Sequence, residues 1–94
     1  MEILNFGRSN LITSGGIQKM CNLKELYTSY NNNITDVGIK HLHKLEILHC
    51  FSENLTDESI KDLENLKEIE ISKQCKITDE CINKLPKIKM IHRY

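Results

Sequence analysis

Apolar positions recur along the chain at intervals of 21 and 22 residues. Ile34-Thr35-Asp36, Leu55-Thr56-Asp57 and Ile77-Thr78-Asp79 mark three successive starts, and Ile12-Thr13-Ser14 precedes them by one more interval. After each start the apolar residues coincide. Ile17, Ile39, Ile60 and Ile82 form one set; Met20, Leu42, Leu63 and Leu85 the next. Leu23, Leu45, Leu66 and Ile88 follow, then Leu26, Leu48, Ile69 and Ile91. A fixed period of this size is the signature of a repeat architecture, in which no single unit buries its apolar face alone. The frame predicts a strand over 1–6 and four turn–helix–strand units, 12–33, 34–54, 55–76 and 77–94, with the last strand over 88–93. All 94 residues are thereby read as one domain.

The period changes within a unit. Ile69-Glu70-Ile71 alternates, as a half-buried strand does. Ile39 and Leu42, three apart, suit one face of a short helix. Thr35, Thr56 and Thr78 are good N-caps for such helices, and Asp36, Asp57 and Asp79 fall in the first turn, where the helix dipole favours negative charge. A small residue recurs at Gly16, Gly38, Ser59 and Cys81, read as a close approach of helix and strand backbones. A helical hairpin repeat is excluded. Strict three-residue spacing spirals off an α-helix of 3.6 residues per turn, and paired helices need about 33 residues or more.

Leu66-x-x-Ile69-x-Ile71, followed by Cys75-Lys76-Ile77-Thr78-Asp79-x-x-Ile82-x-x-Leu85, resembles the leucine-rich-repeat family. The Ile-Thr-Asp segment is similar to the cysteine-containing and ribonuclease-inhibitor-like subtypes, although the repeats here are shorter. The resemblance implies an α/β fold: a right-handed leucine-rich-repeat solenoid with a concave parallel β-sheet of about five strands and short helices on the convex side. It also implies that Cys75 satisfies backbone groups of its turn.

On that architecture the side chains between core positions form columns on the concave wall. One is Ile3, Glu25, Ile47, Glu68, Met90; the next is Asn5, Tyr27, His49, Glu70, His92; the third is Gly7, Ser29, Phe51, Ser72, Tyr94. Tyr27, Ile47, His49 and Phe51 then make an apolar-aromatic centre beside Glu25, Glu68 and Glu70, with His92 further along its column. Aromatic anchors beside charge are how protein-binding hot spots are built, so these eight residues are the candidate protein-binding site.

Composition narrows the function. Thirteen basic and thirteen acidic residues give a formal net charge of zero. Duplex nucleic acid is therefore a disfavoured partner, since its binding normally goes with a basic surplus. Lys84, Lys87, Lys89 and Arg93 nevertheless form a basic C-terminal segment, an alternative contact for nucleic acid or lipid. No apolar run approaches the ~20 residues of a membrane span, and no signal peptide is read. The four cysteines are expected to be reduced thiols of a cytoplasmic or nuclear protein. Cys50 and Cys81 are assigned to packing, and Cys21 to the surface.

No Cys-x-x-Cys pair is present, and His41 and His43 would point apart on a helix, so no metal is expected. No phosphate-binding glycine loop or nucleophile motif appears, so neither cofactor nor catalysis is expected. The leading expectation is a protein–protein interaction module. The Ile-Thr-Asp repeats also resemble those of F-box proteins, which implies the substrate-receptor part of a ubiquitin ligase, although the F-box itself is absent from these residues. An enzyme-inhibiting regulatory subunit or effector is a further alternative. The repeat carries no visible polar cap, which leaves three readings: ends held by self-association, a slice of a longer repeat protein, or a marginally stable chain, with the first two favoured over the third.

Overall fold

The computed structural model describes residues 3–5, 14–17, 19–28, 35–50, 54–73 and 75–93. Strands and short helices alternate: β1 (Ile3–Asn5), α1 (Ser14–Ile17), β2 (Glu25–Thr28), α2 (Asp36–Ile39), β3 (Ile47–Cys50), α3 (Asp57–Ile60), β4 (Glu68–Ile71), α4 (Asp79–Asn83) and β5 (Met90–Arg93). The strands lie in one parallel sheet in chain order, with β1 along the outer side of β2. The register is the one the repeat predicts: Glu25, Ile47, Glu68 and Met90 are partners, as are Tyr27, His49, Glu70 and His92.

Between helix and strand the chain runs through successive three-residue turns, and these explain the apolar spacing of three. Leu42 N–H donates to the Ile39 carbonyl at 2.9 Å and Leu45 N–H to the Leu42 carbonyl at 3.0 Å. The same pair of bonds recurs from Ile60 through Leu63 to Leu66 and from Ile17 through Met20 to Leu23. Bonds between residues three apart wind at 3.0 residues per turn, so apolar residues spaced by three stay on one side. Leu42 therefore sits in a turn beyond α2, not on the helix itself. Ile88 belongs to the same turns, through Leu85, so the last strand begins at Met90 rather than at 88.

The interior is one cluster running through the units. Ile17, Ile39, Ile60 and Ile82 are fully buried, as are Leu23, Leu45, Leu66, Leu26, Leu48, Cys50 and Ile71. Ile91 departs from its expected core role: it is 38% exposed. β5 has β4 on one side only and pairs with no further strand among the described residues, so nothing there covers Ile91 from beyond.

Two local readings are revised. The small-residue position packs helix against helix rather than helix against strand: the Cys81 Sγ of α4 lies 3.8 Å from the Asp57 carbonyl of α3, and consecutive helices are neighbours. His41 and His43 follow α2 in a turn, where their rings approach to 6.4 Å between centroids instead of pointing apart.

The Thr-Asp pairs do more than start helices. Asp36 accepts from the Thr56 backbone N–H at 2.8 Å and from the Thr56 hydroxyl. Asp57 accepts from the Thr78 N–H at 2.7 Å and hydroxyl at 2.8 Å. Thr56 and Thr78 in turn accept from Glu58 N–H and Cys81 N–H as N-caps. Each aspartate thus holds the cap of the next helix, and the ladder ends where Asp79 receives the Arg93 guanidinium. Single-unit reasoning missed this link; its only sequence signal is the repetition of Thr-Asp at the unit interval.

Candidate functional site

Alternation along each strand sends Leu26, Leu48 and Ile69 inward and leaves their neighbours half-buried on the outer face. Parallel pairing without slippage then assembles those neighbours across the sheet. The Tyr27 hydroxyl donates to Glu25 Oε1 at 2.6 Å. Its ring meets His49 edge-on, with centroids 4.3 Å apart. His49 Nδ1 lies 2.8 Å from Glu70 Oε2. Glu25, Tyr27, His49 and Glu70 therefore form a continuous polar-aromatic line across β2, β3 and β4.

Ile47 and Glu68 are paired partners in the adjacent column and are half-buried. His92 and Met90 are exposed on β5. Phe51 lies outside the described residues. Seven of the eight candidate residues thus occupy one face of the sheet. The nearby carboxylates are felt at the phenol: Tyr27 ionises above its ordinary value, first because its hydroxyl is bonded to Glu25, then through burial and the charges of Glu25, Glu68 and Glu70.

A second surface lies just ahead of the strands. Lys24, Lys44, Lys67 and Lys87 surround Glu46 and Asn65 around a hollow of about 240 Å³. Lys44 Nζ donates to Asn22 Oδ1 at 2.9 Å, Lys87 Nζ to Asn65 Oδ1 at 2.8 Å, and Lys67 Nζ to Glu46 at 3.1 Å. Lys67, by hydrogen bond and charge, holds the Glu46 carboxyl below its ordinary value, and Lys24 and Lys87 add to this. Sequence reading placed the basic character in the C-terminal segment, because these lysines are spread over four units and make no local run. In the fold the segment divides. Lys87 joins the trough, whereas Lys84 faces Glu80 and Arg93 is tied to Asp79 and the Ile77 carbonyl.

Cys75 is buried in its turn, its Sγ 3.8 Å from the Leu55 carbonyl. Among the described residues, no three His, Cys, Asp or Glu side chains converge as a metal site requires, and no helix is long and apolar enough to cross a membrane. No protein-family model matches the chain, and no curated protein matches it.

Proposed function

We propose that the chain is a leucine-rich-repeat solenoid that binds a partner protein on its strand face, centred on Tyr27, Ile47 and His49. The observation that carries this reading is the register, which brings half-exposed aromatic, apolar and acidic side chains from successive units onto one wall. A wall of this composition, spread over successive strands, suits a protein better than a small molecule, which is bound in an enclosing pocket. The trough ahead of the strands is lined by other residues. It favours a second reading: an anionic partner held by Lys24, Lys44, Lys67 and Lys87.

One experiment separates the two. The immobilised chain is used to retain proteins from a lysate, and each retained protein is then titrated against variants. On the leading reading, Tyr27→Ala and Ile47→Ala weaken binding at least ~10-fold, as hot-spot truncations do. Val37→Ala, at an exposed side chain of α2, leaves it unchanged. Undiminished affinity in both wall variants removes the leading reading. Loss confined to Lys44→Gln and Lys87→Gln replaces it with the second.

A further inference from the structure

The chain is neutral as a whole, but its charge is sorted. The hollow ahead of the strands is lined by four lysines against the single carboxylate of Glu46, a local surplus of three positive charges. Three of these lysines reach back by one unit. Lys44 Nζ meets Asn22 Oδ1 at 2.9 Å across 22 residues, Lys67 Nζ meets Glu46 Oε1 at 3.1 Å across 21, and Lys87 Nζ meets Asn65 Oδ1 at 2.8 Å across 22. The Asn65 amide nitrogen donates to the His43 carbonyl at 2.7 Å, which turns its oxygen toward Lys87. The repeat therefore sets three ammonium groups in a row along the stack, at about the 4.8 Å spacing of neighbouring strands. Asn22 and Asn65 are neutral amides, so Lys44 and Lys87 keep their full charge there.

We propose that this trough is a binding site for a compact ligand of several linked phosphoryl groups, either a free oligophosphate or a phosphorylated headgroup. The proposal rests on the second reading above, that these lysines hold an anion, and gives that anion a chemical class. It stands whether or not the wall of strands binds a protein. Ammonium groups bind phosphate as point charges and make little demand on its orientation. Linked phosphoryl groups place several negative charges within a short length, which suits a row whose two steps span roughly 10 Å. An extended acidic peptide fits the row less well, because its side chains on one side recur only every second residue, about 6.6 Å apart.

Glu46 stands inside the row and opposes the ligand. Its carboxyl ionises below the ordinary value, first through the hydrogen bond from Lys67 and the charge of Lys67, then, against burial, through Lys24 and Lys87. It is therefore charged at neutral pH and repels an anion that enters. Neutralising this one residue should tighten binding. Lysines that merely tied neighbouring units together would give no such gain.

The test titrates the whole chain with inorganic triphosphate by calorimetry at low salt, where such contacts are least screened. Phosphatidylcholine vesicles with and without a phosphoinositide are run beside it, and a glutamate hexapeptide is the third probe. Triphosphate or the phosphoinositide vesicles should bind, and which of them does so identifies the source of the phosphoryl groups. Lys44→Gln and Lys87→Gln should each weaken binding about 10-fold, the scale of one charge-assisted contact. Glu46→Gln should tighten it roughly 3-fold or more. Lys61→Gln, at the C-cap of α3 and outside the trough, should leave it unchanged. The proposal is overturned if neither phosphate probe binds, if Lys61→Gln weakens binding as much as the trough variants, or if Glu46→Gln fails to tighten it. A hexapeptide that binds as tightly as the phosphate probes, or more tightly, overturns the phosphate class and leaves the anionic-partner reading standing; with no probe bound, both fall.

Discussion

Tyr27 is held by a carboxylate two residues earlier on its own strand, because side chains at i and i+2 share a face. That bond exists only while the phenol keeps its proton. Its stabilisation is therefore fully present below the ordinary value of 10.0 and is lost as pH rises through the higher value in the folded chain. In an absorbance titration of the three tyrosines, one is expected to ionise late. Tyr27→Phe should remove the late phase, and Glu25→Gln should move it back toward the ordinary range. A curve whose shape survives Tyr27→Phe contradicts the assignment. The columns containing Tyr27, His49 and Glu70 were legible in the sequence, because alternation fixes which side chain faces out and the repeat fixes its partner. The bonds within the wall were not, because a column says that two residues are neighbours and not which atoms meet.

At the scale of the element, the helices are four or five residues long, too short to be stable alone. They are held by contacts with the neighbouring units. The aspartate–threonine ladder supplies one such contact with a charged acceptor and two donors per step. Asp57→Ala removes both bonds to Thr78, and the expected loss is about 1–3 kcal/mol in urea denaturation. Thr78→Val removes the hydroxyl bond and the N-cap together and is expected to cost a similar amount. Because the two residues share one interaction, the double variant should lose less than the sum of the single losses. Strict additivity rules out the ladder. The helix starts were legible, because threonine and aspartate are favoured there for local reasons. The ladder was hidden by that very sufficiency: a residue already explained by its own helix gives no hint of a second role one unit away. The three-residue turns were hidden differently. Their spacing was seen, but it was tested only against the α-helix, which it fits poorly.

At the scale of the whole molecule, the period of the sequence becomes the stacking of the units, and the interior is a single cluster rather than separate pockets of core. This makes position along the stack matter more than residue type. Leu48 and Ile91 occupy equivalent places on β3 and β5, yet Leu48 is fully buried with a strand on either side, whereas Ile91 is 38% exposed with a strand on one side. The sequence shows the equivalence and conceals the difference, because burial of a stacked strand depends on what lies on both sides of it. Leu48→Ala should therefore cost about 2–5 kcal/mol, as truncation of a fully buried side chain does. Ile91→Ala should cost less than about 1 kcal/mol, in the range of changes at partly exposed positions. Urea denaturation followed by circular dichroism measures both. In a continuous interior the Leu48→Ala loss shifts the transition of the whole chain, since each unit is stabilised through its neighbours. Equal costs at the two positions would mean that the units hold their apolar faces independently, and the shared wall built from successive strands would lose its physical basis.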